Sequence, residues 1–565
     1  MRALPDAGTR LRQGLSSDDW TLRAGILVIL AYLTVTLLLP MSALLSKALE
    51  DRSGAFVGLQ NFARYFATPS LSNSIGNSLF VGLVSTAICV SLAFVYAYGL
   101  TRTLMPGRAV FRLLGAIPLL VPSLLPAIAL VYMFGNQGYA SGLLMGESIY
   151  GPIGIIIGSV FWTFPHALII LITALSLSDA RLYEASEALG ASPWRTFWTV
   201  TISGARYGIL SAIFVVFTLV VTDFGVPKVI GGQFNVLATD VYKQVVGQQN
   251  FEMGAVVGLV LLLPAVLSFL VDRIVQSRQG VQLTGRSIPY APKANRKVDL
   301  ALGGACLLIG LAIVSVLGTA FFAAFAKLWP YDLSFSLRHF DFDNMDGGGW
   351  ASYVNSLRMA GLTAVFGTAI IFIGAYLVEK TRGFRAGREA VHFLALLPMA
   401  VPGLVLGLGY IFFFNAPGNP LNFIYGTMAI LVLCTIAHFY SVAHLTAVTA
   451  LKQLDPEFET VSQSLRVPVR RTFLAVTVPV SLPAIRDVAI YLFVNAMTTV
   501  SAVVFLYSPA TSLASVAALN MDDAGDIAPA AAMGVLIFCT AALVRVIYTV
   551  LTAGLLRATQ RWRHR

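Results

Sequence analysis

Two residues of opposite charge follow a long apolar segment of this chain and could act on a bound solute. Asp223 and Lys228 lie five residues apart, on either side of a Phe-Gly-Val-Pro sequence. If both face a pathway through a membrane, the carboxylate can bind the ammonium group of a zwitterionic solute and the lysine can bind its anionic group. An ordinary pair of interfacial charges at a helix end fits the same residues. The sequence leaves both interpretations open.

A polar stretch upstream of these charges occurs twice in the chain, 276 residues apart. Asp179 and Arg195 correspond to Asp455 and Arg471, and about a third of the positions from 173 to 203 are identical in the second copy. Such similarity at a fixed offset indicates an internal duplication. We therefore expect two structurally related halves.

The duplication also predicts which residues of the second half accompany Asp223. Thr499 occupies the corresponding position in the second copy, so a solute site between the halves would be asymmetric. Ser501 follows two residues later and is a weaker candidate for lining the same pathway. The predicted pathway residues are Asp223, Lys228, Thr499 and Ser501.

The repeated stretch itself predicts a short polar helix. Asp179 can cap the N-terminus, Gly190 supplies the left-handed exit that often ends a helix, and Pro193 discourages its continuation. Such a helix is too short to cross a bilayer and too polar to be buried in one. We expect it to lie on the membrane surface. In the second copy, Asp455 followed by Pro456 is a stronger helix start.

Composition places the rest of the chain in a membrane. Of the 565 residues, 57% are hydrophobic and only 12% are charged, about half the usual charged fraction of soluble domains. The fold class predicted is an all-α polytopic membrane protein with two tandem six-helix repeats. Its domains are a first repeat over 1–278, a linker over 279–298 and a second repeat over 299–565. The predicted spans are 24–47, 74–100, 111–135, 151–177, 206–224, 253–275, 299–326, 355–378, 391–414, 425–448, 483–506 and 528–555.

Basic residues predict the orientation. Arginines and lysines concentrate in alternate loops, which the positive-inside rule assigns to the cytoplasm together with both chain ends and both polar helices. The net charge of +11 is therefore a topology signal, and nucleic acid is not an expected partner. Membrane lipid is an expected partner.

Proline pairs mark breaks inside two of the spans. Pro118 and Pro122 recur as Pro398 and Pro402 in the third span of each half. Paired prolines within a span predict kinks or discontinuities, which transporters place near a central pathway.

Catalytic, metal and cofactor chemistry has little support. The four cysteines lie in apolar spans without metal-ligand spacing, and no phosphate-binding P-loop sequence occurs, so we expect no cofactor and no metal site. Histidines in the spans fit either proton relays or side chains satisfied by neighbouring helices. These residues are Cys89, Cys306, Cys434, Cys539, His166, His438 and His444.

The duplicated polar stretch resembles the signature loop of the inner-membrane permease subunits of binding-protein-dependent ABC importers. That signature reads Glu-Ala-Ala, three residues, Gly, nine residues, Ile-x-Leu-Pro. The first copy keeps the acid and the glycine but ends in Ser203, whereas the second keeps Pro479 and lacks both the acid and the glycine. Pro468 then becomes the expected end of the second helix. The matching positions are Glu184, Ala185, Ser186 and Gly190, then Thr460, Val461, Ser462 and Arg466.

The resemblance implies partners and a location. In that family the loop helix sits in a groove of a cytoplasmic ATPase subunit, so two copies of an ATP-binding subunit are implied. A periplasmic substrate-binding protein would deliver the solute. The chain itself would be a multi-pass protein of the bacterial inner membrane, with both ends in the cytoplasm, and would not be an enzyme.

The solute implied by the resemblance is 2-aminoethylphosphonate. The phrases around 222–228, 501–509 and 520–526 are similar to those of 2-aminoethylphosphonate permeases. Ferric iron, thiamine and polyamines are the alternatives within the same class. A proton-driven secondary transporter is the alternative from another class, although such a carrier has no need of a duplicated docking loop. A membrane-embedded enzyme is a more distant alternative.

Overall fold

The computed structural model describes residues 17–277, 288, 290–381, 383–455 and 457–559. The predictions for the two chain ends, for most of the linker 279–298 and for Pro456 therefore lie outside the described residues. The described part of that linker ends earlier than predicted, because a helix begins at Arg296.

The first half is built from helices. They are α1 (Ser17–Leu33), α2 (Leu39–Ala48), α3 (Gln60–Ala67), α4 (Pro69–Arg102), α5 (Arg108–Ala116), α6 (Leu124–Phe134), α7 (Pro152–Ser176), α8 (Ala180–Ala188), α9 (Pro193–Thr196), α10 (Ser203–Thr222), α11 (Gly225–Ile230), α12 (Leu237–Tyr242) and α13 (Phe251–Ser277).

The second half repeats this order and adds an antiparallel hairpin that the sequence analysis missed. Its elements are α14 (Arg296–Phe325), β1 (Ala326–Leu328), β2 (Asp332–Phe335), α15 (Gly349–Leu362), α16 (Thr368–Lys380), α17 (Arg385–Leu396), α18 (Gly403–Phe414), α19 (Met428–Lys452), α20 (Glu457–Ser464), α21 (Val469–Thr472), α22 (Val478–Val480), α23 (Leu482–Thr498), α24 (Ala514–Ala524) and α25 (Ile527–Thr559).

Short π and 3₁₀ turns join several of these helices. The π segments Phe197–Ile202 and Phe473–Thr477 fall at equivalent positions of the two halves, as a duplicated fold requires. The remaining turns are Thr34–Leu38, Ile117–Leu120, Ser141–Leu144, Lys243–Gly247, Arg338–Phe340, Phe342–Asn344, Thr363–Gly367, Leu397–Ala400, Asn422–Ile424 and Pro509–Thr511.

The predicted spans coincide with helices, and their number is twelve if each bent pair of helices is counted as one span. Among the described residues, nine helical rods are long and apolar enough to cross a membrane, and three bent pairs bring the total to twelve. One boundary was wrong: the span predicted over 483–506 ends at Thr498, where an irregular turn begins. A polar backbone stretch of this kind is tolerated at membrane depth where it is buried in protein.

The proline pairs break the third span of each half, as predicted. Ile117–Leu120 and Leu397–Ala400 form 3₁₀ turns, after which the chain bends by 104° and 114° respectively. Proline removes a backbone donor and its ring clashes with the preceding turn, so two prolines four residues apart favour a break in the helix. The breaks leave α6 and α18 as separate helices that start inside the protein.

The first span of each half packs against helices of the other half. α1 and α2 pack on α16, α17 and α18 of the second half, while α14 packs on α4, α5 and α6 of the first. Close approach depends on small residues: a Cβ atom on Gly99 would lie 2.9 Å from Sγ of Cys306, and one on Gly409 would lie 2.7 Å from the Pro40 carbonyl oxygen. Small residues at such crossings let helices in a membrane pack closely. The two halves are therefore interlocked through their exchanged first spans.

Candidate functional site

A cavity of about 800 Å³ lies between the two halves. The first half contributes residues of α7, α10 and α13, and the second contributes residues of α19, α23 and α25. Both proline-broken segments also reach it, through Ser123 and through Gly403. Asp223, Thr499 and Ser501 all line it, so three of the four pathway residues expected from sequence share one cavity.

One end of the cavity, here called the closed end, is lined by buried residues such as Gly225 and Gly403, each packed tightly against a serine of its own half. A Cβ atom on Gly225 would lie 2.1 Å from Oγ of Ser123, and one on Gly403 would lie 2.5 Å from Oγ of Ser501. Neither glycine can be replaced without moving its neighbour. The same tight contact thus occurs twice, with serine and glycine exchanged between the halves.

Asp223 lies at this closed end and is buried, with 8% of its surface exposed. Its carboxylate accepts hydrogen bonds from the backbone N–H groups of Gly225 at 3.3 Å and Val226 at 3.0 Å. Both N–H groups belong to the first turn of α11, so the side chain satisfies donors that no helical partner can reach. A buried carboxylate held in this way keeps a fixed position.

The opposite end of the cavity reaches charged and more exposed residues. Arg486 pairs with Asp487 at 2.8 Å, and the Asp487 side chain is 58% exposed. Thr499 lies thirteen residues further along the chain, about 20 Å away at 1.5 Å per residue. Among the described residues that line the cavity, the arginines are Arg486 and Arg545, and there is no lysine. The closed end thus has a carboxylate without an arginine or lysine.

Two histidines line the cavity from opposite halves. The His166 ring lies 5.7 Å from the ring of Trp162, and His438 lies beside the contact between Gly403 and Ser501. Among the described residues, Nδ1 has no hydrogen-bond partner in His166, His438 or His444. The other ring nitrogen of His444, Nε2, forms a 3.2 Å hydrogen bond with Nδ1 of His392.

Lys228 is placed away from Asp223 and is not among the residues that line the cavity. Its ammonium group lies 2.7 Å from the Asp523 carboxylate of α24, so it joins the two halves beyond the closed end. Burial raises the pKa of the neighbouring Asp522 to about 7; Asp523 adds to the shift and Lys228 opposes it. Lys228 is therefore occupied by a structural ion pair.

The first polar helix has the predicted geometry. Asp179 caps α8 by accepting a 3.1 Å hydrogen bond from the Arg181 N–H, and Gly190 follows with φ +68°. Glu184 and Ala185 are exposed, whereas Ser186 is buried and bonds to the Thr196 hydroxyl at 2.7 Å. The exposed and buried signature positions thus face opposite directions.

The second polar helix reaches the same geometry with other residues. Asp455 caps α20 through the Glu457 N–H at 2.9 Å. Thr460 and Val461 are exposed, and the Ser462 hydroxyl bonds to that of Thr472 as Ser186 does to Thr196.

The expected role of Pro468 was wrong. Arg466, at the position of Gly190, itself adopts the left-handed conformation with φ +52°, and α20 ends before Pro468 is reached. Pro468 instead precedes α21.

An apolar strip on each polar helix was not recognised from sequence. Leu182 on α8 and Leu189 directly after it are 56% and 86% exposed, and their equivalents, Phe458 on α20 and Leu465 directly after it, are 41% and 70% exposed. Val461 adds a further 54% exposed side chain. The seven-residue spacing places each set on one helix face, and that spacing was the available signal. Because six spans separate α8 from α20, both strips lie at the same end of the protein.

A buried cation connects each polar helix to a membrane span, and this too was missed. Arg102, the last residue of α4, donates to the Tyr183 hydroxyl at 3.2 Å and to the Leu175 carbonyl at 2.8 Å. In the second half, Lys380 ends α16 and pairs with Glu459 at 3.4 Å. The two cations are separated by 278 positions in the sequence. Asn77 and Asn355, at the start of the second span of each half, have the same separation, so the cations occupy equivalent positions in the two halves.

Comparisons with known proteins match this architecture. A family model described as "Binding-protein-dependent transport system inner membrane component" matches residues 90–281 and 370–557. The chain is 29% identical to the "Ferric transport system permease protein FbpB" of Actinobacillus pleuropneumoniae, over 82% of this chain and 68% of that protein. It is 23% identical to the "Fe(3+)-transport system permease protein FbpB 2" of Haemophilus influenzae, over 80% and 84%.

A solved bacterial ABC transporter involved in the import of the acidic polysaccharide alginate is also similar. The match has a TM-score of 0.39 and 16% identity, and it covers 46% of this chain and 96% of the other.

Proposed function

This chain belongs to the family of binding-protein-dependent transport system inner membrane components, and from that premise we propose that it imports ferric iron. It is the multi-pass permease component of an ABC importer, a transport subunit rather than an enzyme. The observation that carries the proposal is the cavity between the halves, closed beside a fixed carboxylate at one end and bounded by exposed residues at the other.

The end of the protein that carries α8 and α20 faces the cytoplasm in this proposal. Arg102, Arg181 and Arg195 of the first half and Lys380 and Arg471 of the second belong to that end, as the positive-inside rule requires. The closed end then faces the periplasm, where a substrate-binding protein would dock. The structure would correspond to the state in which the cavity is accessible from the cytoplasm.

The energy for transport comes from ATP bound and hydrolysed by a separate subunit. Two copies would dock on the apolar strips of α8 and α20, which expose leucine, valine and phenylalanine side chains. ATP binding favours the closed ATPase dimer and draws the two helices together. It can shift the permease between states only through its different affinity for them. Arg102 and Lys380 would carry the movement to α4 and α16.

The chemistry of the closed end favours a cation over a phosphonate. Asp223 supplies a carboxylate oxygen, and oxygen ligands suit hard metal cations. A phosphonate dianion needs basic partners, but Lys228 is paired with Asp523 and the cavity arginines lie near the other end, so the remaining basic side chains of the described lining are His166 and His438. The ferric relatives cover both halves of the chain. 2-Aminoethylphosphonate, thiamine and polyamines are therefore tested as competitors.

The experiment reconstitutes the permease in liposomes with an ATPase subunit and a binding protein, and measures ATP-dependent uptake of radioactive ferric iron. Asp223→Asn is the informative variant, because asparagine caps a helix about as well as aspartate but carries no charge. We expect uptake to fall about tenfold, equivalent to about 1.4 kcal/mol, with the fold intact. Uptake of 2-aminoethylphosphonate and not of iron would contradict the substrate, and uptake without ATP would contradict the power source.

A further inference from the structure

The segment that leads into the second half lies against the first docking helix. It comprises residues 288 and 290–295, here called the strap, and it ends at Asn295, whose side chain caps α14 by accepting from the Val298 N–H at 3.4 Å. Every described turn of α8 has a contact to it. These contacts are independent of the cavity and of the solute.

The first contact is between backbones at the start of α8. The Ala180 N–H donates to the Ile288 carbonyl at 2.8 Å, and the Ile288 N–H donates to the Asp179 carboxylate at 3.4 Å. Ala180 is the first residue of α8, where N–H groups have no helical partner. The strap thus satisfies a donor that would otherwise depend on water.

The second contact is aromatic. The Tyr290 ring lies 4.4 Å from the Tyr183 ring, and the Arg102 guanidinium lies 4.4 Å from the centre of Tyr290 and 5.3 Å from that of Tyr183. A guanidinium near two aromatic rings gains cation–π attraction, which is stronger where water is excluded. Arg102 itself is buried. Tyr290 therefore links the strap both to Arg102 and to Tyr183 of α8.

The third contact is an ion pair. Lys293 lies 2.5 Å from the Glu187 carboxylate, with both side chains about 70% exposed. That carboxylate raises the pKa of Lys293 through the hydrogen bond between them. An exposed pair of this kind contributes little to stability. Positions 180, 183 and 187 lie on one face of α8, so the apolar strip at 182 and 189 stays open.

We propose that the strap positions the first docking helix and connects it directly to α14. This rests on the proposed docking of an ATPase subunit on α8 and adds a second route for its movement. α14 packs on α4, α5 and α6, and its Asp299 accepts a 3.0 Å hydrogen bond from the Leu104 N–H. A displacement of α8 would thus reach the first half through Arg102 and through the strap and α14 together. Tyr290 is the positioning residue.

The second docking helix is held differently. Lys380 reaches Glu459 without an aromatic partner, and the link to a swapped span is Asp18 of α1, which accepts from the Val469 N–H at 3.3 Å. This link meets Val469, the first residue of α21. The described contacts of the strap are to α8 and Arg102 of the first half, so α20 gives the test an internal reference.

The first measurement uses the purified full-length permease without partners. Hydrogen exchange of the α8 amides is compared in wild type, Tyr290→Ala and Tyr290→Phe, with α20 as the internal reference. We expect exchange at α8 to become about tenfold faster in Tyr290→Ala, a loss of about 1.4 kcal/mol, and to be unchanged in Tyr290→Phe, which keeps the ring. Tyr331→Ala, at a 77% exposed tyrosine near the hairpin, is the matched control. Unchanged α8 exchange in Tyr290→Ala would overturn the proposal.

The second measurement uses the reconstituted complex and counts ATP molecules hydrolysed per solute carried. Tyr290→Ala should raise this ratio several-fold while the ATPase subunit stays bound, and Tyr290→Phe should restore it. A purely structural strap would change α8 exchange and leave the ratio as in wild type, which would also overturn the proposal. If wild type itself shows no ATP-dependent transport, the proposed function fails, whereas the exchange measurement still decides whether the strap holds α8.

Charge reversal gives a variant that does not depend on the tyrosine. Lys293→Glu should speed α8 exchange about twofold, and the double variant with Glu187→Lys should return it to the wild-type rate. Because both side chains are exposed, neither change is expected to affect folding. Equal exchange in the single and double variants would contradict the ion pair's part in the strap.

Discussion

The first docking helix leaves its last turn through Gly190, and the second leaves through Arg466. Both residues adopt the left-handed backbone conformation, with φ +68° at Gly190 and +52° at Arg466. This conformation is disfavoured at Arg466 because it has a side chain. Each helix starts at an aspartate cap and is fixed by a hydroxyl pair, Ser186 with Thr196 in the first half and Ser462 with Thr472 in the second. The family signature is lost in the second copy while its geometry is kept. The signature letters are thus one solution to a geometric requirement.

The supports of the two helices differ more than their shapes. In the first half, Arg102 makes neutral contacts with Tyr183 and Tyr290. In the second half, Lys380 meets Glu459 in an ion pair whose side chains are 8% and 14% exposed. A buried ion pair is costly to break, because removing one partner leaves the other charge unpaired. The second helix should therefore be the more sensitive of the two to loss of its cation's partner.

The largest expected effect comes from Lys380→Met. This change leaves the Glu459 carboxylate buried without its cation, and its Oε2 atom already lacks a hydrogen-bond partner among the described residues. We expect the free energy of unfolding to fall by about 3 kcal/mol, measured by denaturant unfolding of the solubilised permease. The corresponding loss for Tyr183→Phe, which removes the hydroxyl's hydrogen bonds with Arg102 and Thr201 and keeps the ring, is about 2 kcal/mol.

A double variant separates charge from packing in this prediction. Lys380→Met with Glu459→Gln removes both charges and should recover most of the lost stability. If the single and double variants are equally unstable, packing rather than the unpaired carboxylate is responsible. Equal losses for Lys380→Met and Tyr183→Phe would contradict the difference between the two halves.

A smaller effect is expected at the apolar strips, where the halves should behave alike. Leu189→Asp and Leu465→Asp alter exposed side chains, so the stability of the permease should change by less than about 0.5 kcal/mol. Each should weaken binding of the ATPase subunit by about 2 kcal/mol, close to thirtyfold, as expected for a central interface residue. Titration of the ATPase subunit onto the reconstituted permease measures this.

The control for the strips is Met145→Asp, at a 95% exposed residue outside both docking helices, which should leave binding unchanged. If Leu465→Asp also leaves binding unchanged while Leu189→Asp weakens it, the second helix does not dock. That outcome would mean that the second loop lost its docking function together with the signature.

Local chemistry explains how much of the fold the sequence could predict. Apolar runs of span length and the proline pairs act through their own neighbours, so the twelve spans and the breaks near Pro118 and Pro398 were predictable. Asp179 and Gly190 act within one helix, and their roles were predictable for the same reason. The duplication identified Thr499, and Ser501 two residues later, as candidates to line a pathway with Asp223. All three line one cavity.

Contacts between distant segments could not be predicted in this way. The exchange of first spans, the pairing of Lys228 with Asp523 and the strap on α8 join residues separated by about a hundred positions or more. Their energies depend on packing that a single sequence does not display. Arg466 is a different case: its left-handed conformation contradicts its local preference, so tertiary context overrides propensity there.

The smallest predicted effect concerns the two helix exits and has opposite signs in the two halves. A Cβ atom on Gly190 would meet nothing within 4 Å, so Gly190→Ala tests backbone conformation alone and should cost about 1 kcal/mol. Arg466→Gly should stabilise the permease by about 0.5 kcal/mol, because relief of the left-handed strain exceeds the entropy that glycine loses on folding. Thermal unfolding of the solubilised protein measures both changes. Destabilisation by Arg466→Gly would mean that the arginine side chain makes a contribution larger than the strain it imposes, and the second exit would then be maintained by that side chain rather than merely tolerated.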